Sequence, residues 1–534
     1  MHIRPKTFLV LVSPIVILFA LAYLHRLAFG LPEISPASYA NLDSTQEQGF
    51  PAWLRVTHYV NFFLMILLIR SGLQILMDHP RLYWTVHCTP GTEWLRLTPI
   101  QVPTDRVWTA KQDSRQLSPW IGLPGYRHTI GMARHWHFLS ALFWIANGLI
   151  YVALLFGMGQ WRRLVPTSWQ IVPDAWAYFV HYATFHLPPE QNAFQHYNAL
   201  QQLTYFGVVF ILAPFAMLTG PSMSPALTNR FNWYPKLPGN RQIGRSIHFL
   251  TMCAFVLFII AHVAMVAMTG FSQNLNHIVV GVHDGSHSGL YLGVLGIAVV
   301  IAANAVANWL AWRRPRLVQH LARLIVTPVM YFLLDRPTPV AEFQREDISP
   351  FFWANGKVPT CDKWKALAAN GFQDYRLQIG GLVENPVSLS LDDLRAMEKK
   401  TQITLHHCIQ GWSGIAEWGG VVMSDLIRLV KPHADARAVI FYSFGEGGAG
   451  GQFYDSLSIE NAMHEHTLLA YEMNFEPLNH LHGAPLRLRV ENQLGFKMVK
   501  WIEKIEFVET ARTIYQGEGG YNEDVEYFGE LANI

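Results

Sequence analysis

The sequence predicts an all-α transmembrane bundle of about six helices followed by a soluble α+β domain. Three observations carry that prediction. Of 534 residues, 51% are hydrophobic and only 15% charged, which argues against a purely water-soluble chain. Six apolar stretches, near residues 7–26, 53–77, 137–157, 200–220, 247–269 and 290–312, reach the length of roughly 17–25 residues that a bilayer-crossing helix needs. Beyond about residue 335 charge becomes dense and turn residues frequent, as in a domain that faces water. The reading therefore divides the chain into a membrane domain, 1–330, and a soluble domain, 335–534.

The first stretch, KTFLVLVSPIVILFALAYLHRLAF, reads as a retained anchor rather than a signal peptide, because its apolar run is long and no small-residue cleavage site follows it. Histidines within the spans need a reason, since ionisable groups are costly in lipid and usually face a bundle interior. His58, His137, His248 and His262 stand out. His248 and His262 share the helix IHFLTMCAFVLFIIAHVAMVA, 14 residues apart, which returns to nearly the same face about 21 Å further along the axis. Following the chain back and forth across the membrane matches His137 with His248 in depth, and His58 with His262. Two stacked haems with bis-imidazole iron require that arrangement; four helix-packing histidines are the plainer alternative.

Lys and Arg counts in the loops bear on orientation. Residues 31–52 and 270–289 carry none and 158–199 carry two, whereas 78–136 carry seven and 221–246 carry four. WRRPRLVQHLAR adds four more after the last span, which places both termini in the cytoplasm by the positive-inside rule. No basic stripe interleaved with exposed aromatics points to nucleic acid. Oligomeric state is not legible.

In the soluble half, YRLQIGGLV, ARAVIFYSF and LRLRV alternate or run apolar as strands do. SLDDLRAM and VMSDLIRLV read as short helices with Ser390 and Ser424 as N-caps. The four cysteines, Cys88, Cys253, Cys361 and Cys408, include no CxxC pair, so neither a disulfide framework nor a four-thiolate site is expected. Cys408, in LHHCIQGWSGIAEWGG, has three readings: a buried thiol in an aromatic core, a zinc ligand, or a soft thiolate for a redox-active metal. No second ligand stands at a usual zinc spacing. Spacing alone leaves the core and redox-metal readings open.

Two family resemblances sharpen this picture. VTHYVNFFLMILLIRSGL, HWHFLSALFWIANGLIYVALLFG and the two-histidine helix resemble, over roughly 53–270, the four-helix dihaem cytochrome b subunits of respiratory formate dehydrogenases and nickel-iron hydrogenases. That resemblance implies two b-type haems, electron exchange with membrane quinone, and a bacterial inner-membrane location. It also implies the opposite orientation, with the C-terminal domain outside the cytoplasm. LQIGGLVENPVSLSLDDLRAM, LHHCIQGWSGIAEWGGVVMSDLIRLV and LLAYEMNFEPLNHLHGAPLRLRVENQLGFKMVKWIEKIEF resemble, in that order, the molybdopterin domain of the sulfite oxidase superfamily over about 345–510. Its methionine sulfoxide reductase branch is the nearest in look.

The second resemblance implies that Cys408 ligates molybdenum in one molybdopterin cofactor. It carries cofactor contacts onto His482 and Arg487 of LHGAPLR, Ser443 of FYSF, and Lys497, Met498, Val499 and Lys500 around the terminal phosphate. SPFFWANG, with Phe352, Trp353 and Asn355, resembles the first pterin-wall segment. The arginines that follow the ligating cysteine in sulfite oxidases are absent from IQGWSG, and His482 stands where the nearest branch has Asn. The fusion implies a membrane-bound molybdoenzyme that couples quinol oxidation through two haems to reduction of a small S- or N-oxide. The alternatives are a sulfite-type dehydrogenase passing electrons to quinone, and a non-catalytic electron carrier or redox sensor.

Overall fold

The computed structural model describes residues 2–34, 50–126, 130–188, 197–231, 234, 239–334, 340–447 and 451–515. Of the residues discussed above, 335–339, 448–450 and 516–534 of the soluble domain, and the loop cations Arg127 and Lys236, lie outside them.

All six expected spans are helices long and apolar enough to cross a membrane: Pro5–Phe29, Ala52–Leu76, Ile130–Gly157, Ala199–Met223, Arg241–Met268 and Ser288–Arg313. Each extends a little beyond its apolar run, because polar end residues continue the backbone hydrogen bonding into the headgroup region. The fourth is not uniform: five residues, Val208–Leu212, take the wider π turn just before Pro214, whose missing N–H interrupts the regular ladder. A further amphipathic helix, Pro315–Leu334, leads away from the last span and packs against Ile130–Gly157. The N-terminus is fixed to the face from which Ile130–Gly157 and Arg241–Met268 begin, because β1 (His2–Ile3) pairs antiparallel with β3 (Leu95–Arg96), which also pairs with β2 (Arg81–Leu82).

The C-terminal domain contains two five-stranded sheets. One has the order β5 (Val387–Ser390), β4 (Arg376–Gly381), β13 (Ile502–Val508), β8 (Ala438–Glu446), β9 (Gln452–Ser458), with β4 and β13 parallel and the other pairs antiparallel. The other runs β11 (Glu476–Pro477), β10 (Thr467–Met473), β7 (Ser413–Val422), β6 (Lys399–His407), with β12 (Arg487–Val490) also paired to β10. Short helices Leu391–Ala396 and Met423–Val430 match the two expected from sequence. Ser390 caps the first through a reciprocal box with Asp393. Ser424 does not cap the second; Val422 occupies that position, so the helix starts two residues earlier than a Ser424 cap would set it.

The two halves are not joined by a tether alone. One hydrophobic cluster combines Tyr83, Cys88, Ala110 and Ile130 from the membrane half with Phe352, Trp353, Cys408, Ile409, Trp412 and Trp418 from the other. The loop 78–126 supplies most of that contact and has its own polar core. Arg81, 1% exposed, donates to Asp113 at 2.7 Å and to Glu93 at 2.8 Å. Without it Asp113 would be left as an uncompensated buried charge and Glu93 would keep only the more distant Arg96, at 3.9 Å. Arg81→Met should therefore lower stability by about 3–5 kcal/mol, read as a fall in the thermal denaturation midpoint of the detergent-solubilised chain. A midpoint unchanged by the substitution would show that the loop does not depend on this network.

Candidate functional site

Cys408 sits at the tip of a hairpin. β6 and β7 pair in register to His407↔Ser413, leaving five residues, Cys408 to Trp412, to reverse the chain. The Cys408 N–H donates to Trp412 O at 3.0 Å, and the Gly411 N–H donates to Cys408 O at 3.1 Å. Gly411 has φ of +108° and a Cβ there would stand 3.1 Å from Arg245 Nε, so backbone geometry and space both call for glycine. The tip enters the membrane half rather than solvent. Arg241 Nη2 donates to Cys408 O at 3.3 Å, Arg134 donates to Ile409 O, and Gln242 Nε2 donates to Gly411 O at 2.9 Å. Gln410 Nε2 in turn donates to Asp78 O at 3.3 Å.

Burial pushes the Cys408 thiol up to about 12, with Arg241 and Arg134 among the groups that oppose the rise. A bare thiol here stays protonated at neutral pH, and a metal would be needed to hold the thiolate. Among the described residues no three His, Cys, Asp or Glu side chains converge as a metal site. Among the described residues Cys408 thus lacks the further protein ligands of a structural zinc site, and a lone thiolate is compatible with a metal whose other ligands come from a cofactor.

The residues expected around the pterin fall into two groups. Phe352 lies at the centre, its ring 5.4 Å from His406, 5.6 Å from Trp418, 5.8 Å from Trp412 and 5.8 Å from His482. His482 Nε2 lies 3.2 Å from Phe352 O and its Nδ1 3.0 Å from Asn479 Oδ1; burial pulls the imidazole down to about 4, with Arg487 and Lys500 acting in the same direction, so the neutral ring donates to one of these two oxygens. Arg487 is buried and Lys500 partly so; burial is the larger cause of the lowered proton affinity of each, with Arg487 adding to it at Lys500 and Arg489 adding to it at Arg487. Gly483, at φ +123°, lets them approach, since a Cβ there would stand 3.1 Å from Lys500 Cβ and 3.2 Å from Arg487 Cβ. Lys500 Nζ donates to Leu481 O at 2.9 Å and to Asn355 O, while Arg487 Nε is buried without a partner. Among the described residues neither cation is paired with a carboxylate. Two such cations fit an anionic ligand, as a pterin phosphate is. Met498 and Val499 are buried beside them, and Val499 O accepts from Leu488 N at 2.8 Å.

Three of the expected contacts are arranged differently. Lys497 is not part of this cation pair: its Nζ is 2.8 Å from Asp455 Oδ1 in an ion pair with both side chains about fully buried, so its charge is already neutralised. The Trp353 indole N–H donates to Cys88 O at 2.7 Å and the ring lies 5.0 Å from His79, so this side chain docks the membrane half. The Ser443 hydroxyl donates to Lys500 O at 2.7 Å and accepts from Gly445 N at 2.9 Å, which makes it a support for the Lys500 backbone. A cavity of about 430 Å³ opens beside this wall between loop residues 102–108 and residues 349–354 and 473–482. Phe352 and His482 line it, and Cys408 does not.

In the membrane half the four singled-out histidines form two close pairs. The ring centres of His58 and His262 are 6.3 Å apart, and those of His137 and His248 are 6.4 Å apart. Two imidazoles on opposite sides of one iron, each nitrogen about 2 Å from it, would have ring centres roughly 6 Å apart. Hydroxyls orient the rings. Ser71 Oγ and Thr219 Oγ1 each donate their single proton to a carbonyl of their own helix, so each accepts from a histidine Nδ1–H, His137 at 3.1 Å and His248 at 2.9 Å. That leaves Nε2 without a proton, the tautomer a metal needs. Tyr205 OH lies 3.4 Å from His262 Nδ1, so Tyr205 and Thr219, 14 residues apart, serve the two histidines that are themselves 14 apart. Gly72 and Gly220 leave room beside His137 and His248, where a Cβ would meet the ring Cε1 atoms at 3.3 and 3.5 Å.

Sequence reasoning missed the residues that join the two centres. Arg134 lies three residues before His137, and Arg241 seven before His248, so the groups that hold the Cys408 turn share helices with the nearer histidine pair. A basic residue one turn ahead of a buried histidine, and hydroxyls inside apolar spans, were the available signals. A residue-labelling experiment checks the closure of the turn. In metal-free protein at pH 8, iodoacetamide should modify the exposed Cys361 while leaving buried Cys408 and Cys88 unmodified, since burial raises both thiols, Cys88 to about 11. Modification of Cys408 at the rate of Cys361 would show the turn to be open.

Comparisons with known proteins agree with the division of the chain. The model described as prokaryotic cytochrome b561 matches residues 49–281, and the model described as oxidoreductase molybdopterin binding domain matches residues 363–516. The chain is similar to a protein provisionally named protein-methionine-sulfoxide reductase subunit YedZ1 from Azospira oryzae, 32% identical over 28% of this chain and 54% of that protein. It is also similar to protein-methionine-sulfoxide reductase catalytic subunit MsrP from Xanthomonas axonopodis pv. citri, 32% identical over 31% of this chain and 54% of that protein. MsrP from Ralstonia nicotianae is 32% identical over 40% of this chain and 66% of that protein. The chain thus spans about half to two thirds of the length of these curated relatives.

Proposed function

With residues 49–281 a cytochrome b561 domain and residues 363–516 a molybdopterin-binding oxidoreductase domain, we propose that this multi-pass membrane oxidoreductase oxidises quinol and uses the electrons at molybdenum to remove oxygen from a small S- or N-oxide. The observation that carries the reading is the junction of the two halves. The Cys408 turn is hydrogen-bonded by Arg134 and Arg241, which stand on the helices of His137 and His248. The two arginines stand three and seven residues, roughly one and two helical turns, ahead of those histidines.

In this reading His137 with His248, and His58 with His262, would each hold one b haem, which when bound supplies one-electron transfer. Molybdopterin, when bound, supplies the oxygen-atom chemistry. The chain's own residues do the rest. Cys408 provides the thiolate, Arg487 and Lys500 neutralise the phosphate, and Phe352 and His482 wall the pterin. Ser71 and Thr219 keep the imidazole Nε2 atoms bare. Quinol gives up two electrons and two protons; the oxide takes two of each and releases water.

The relatives named as methionine-sulfoxide reductases support the reductive direction, as does the absence of arginine in Ile409–Gly414. The Lys/Arg excess on the face of the molybdenum domain supports a cytoplasmic placement. Arg81, Arg134, Arg241 and Arg245 in that excess bond carbonyls or carboxylates at the junction, so four of those charges have a structural cause and the periplasmic alternative gains by the discount. Protease protection of the C-terminal domain in sealed spheroplasts decides between the faces.

Metal and haem analysis of the purified chain should find one molybdenum and two low-spin haems; a metal-free chain would favour a non-catalytic electron carrier instead. Cys408→Ser should abolish the molybdenum spectrum and turnover, His248→Ala and His262→Ala should each remove one haem signal, and full retention in either case refutes the assignment. Steady-state rates with quinol analogue and methionine sulfoxide should exceed those with sulfite and quinone. The reverse ranking would establish the dehydrogenase.

A further inference from the structure

Beside the Cys408 turn lies a buried polar pair to which the foregoing gives no role. His79 and Tyr83, from the segment after helix Ala52–Leu76, are both 0% exposed, and their rings stack at 5.9 Å with a 20° angle between planes. Both ring nitrogens of His79 and the phenol oxygen of Tyr83 are buried without a hydrogen-bond partner. Three such atoms on two stacked rings are costly to bury unless water satisfies them. The pair adjoins the candidate site by two routes. Asp78, the residue before His79, accepts from Gln410 Nε2 through its carbonyl, and Gln410 Oε1 lies 4.0 Å from Cys408 Sγ. On the other side Trp353, next to Phe352, meets the His79 ring edge-on at 5.0 Å.

The reaction read for this site has a requirement that electrons alone do not meet. Reducing an oxide breaks its X–O bond and forms two O–H bonds, taking two electrons from the haems and two protons from water. Run in reverse, the same two protons must leave. The turn is covered by Arg134, Arg241 and Gln242, so protons must cross protein to reach it. Burial, followed by Arg245 and Arg81, holds the His79 imidazole well below its ordinary range, so it is neutral and has one donor and one acceptor nitrogen. Such a ring passes a proton by exchanging tautomers.

We infer that His79 and Tyr83, bridged by water, are the proton route between solvent and the Cys408 pocket. The inference rests on Cys408 as the molybdenum thiolate and holds for either direction of turnover. Tyr83 adjoins the Arg81–Glu93–Asp113 ion-pair network, whose Glu93 reaches the part-exposed Arg96 at 3.9 Å, and His79 follows Asp78, which holds Gln410 of the turn.

The test uses the full-length, cofactor-loaded protein and its His79→Gln, His79→Ala and Tyr83→Phe variants. Reduced viologen with methionine sulfoxide, or sulfite with an oxidised dye, bypasses the quinol step. Molybdenum content, haem spectra and the Mo(V) paramagnetic resonance g-values should match the unaltered chain. kcat should fall by about tenfold or more with KM nearly unchanged, the solvent deuterium isotope effect on kcat should rise, and free imidazole should restore His79→Ala. Unaltered kcat and isotope effect in all three variants overturn the proton route alone. So does a rate loss that tracks lost molybdenum and resists imidazole, which marks a structural role. An unaltered chain that binds no molybdenum overturns the reading of Cys408 and this inference with it.

Discussion

The structure depends on one contact: the insertion of the hairpin tip Cys408–Trp412 into the cytochrome half. Three side chains of membrane-embedded helices, Arg134, Arg241 and Gln242, donate to the carbonyls of Ile409, Cys408 and Gly411. Hydrogen bonds from charged donors contribute about 1.5–3 kcal/mol each where water is excluded. They also set a distance, because Arg134 and His137 ride the same turn of one helix. A soluble catalytic subunit must find its electron donor by diffusion or docking. Here the ends of the cytochrome helices are part of the wall around the Cys408 turn.

That contact explains the distribution of charge. Counted along the sequence, cations on the 78–136 and 221–246 loops look like a topological signal. In space many are interior: Arg81 binds Asp113 and Glu93, and Arg245 donates to the carbonyls of His79 and Arg81 at 2.7 Å. They satisfy a polar junction that neither half could bury alone. The same contact explains why aromatic residues concentrate around Cys408. Phe352, Trp412 and Trp418 exclude water from the turn, and in the dry space so made a thiol is held protonated and two opposed cations, Arg487 and Lys500, call for an anion.

Much of the site was legible because its residues repeat at spacings a straight helix converts into geometry. His248 and His262 are one face and two depths, and the chain's passage back and forth brings His137 and His58 to them. The cation pair was half legible. Arg487 and Lys500 come together as the LHGAPLR and KMVK segments imply, whereas Lys497, three residues from Lys500, turns to Asp455, since adjacent positions on a short irregular segment face different ways. Trp353 and Ser443 were assigned to the cofactor on their neighbours' pattern. Their polar atoms meet Cys88 O and Lys500 O instead, and no linear motif records a partner more than 50 residues distant.

The sequence by itself determined the six apolar helices, the strand-rich C-terminal domain, the depth-matching of the histidines and the singular position of Cys408. These follow from local periodicity and hydrophobic length, which any segment expresses without its partners. Only the tertiary structure decided that the cysteine points into the membrane half, that arginines missing from its own loop are present nearby on the helices of His137 and His248, and that His79 and Tyr83 lie buried beside it. Those facts depend on hydrogen bonds and charge pairings between residues hundreds of positions apart, whose directions are set by packing and not by order along the chain.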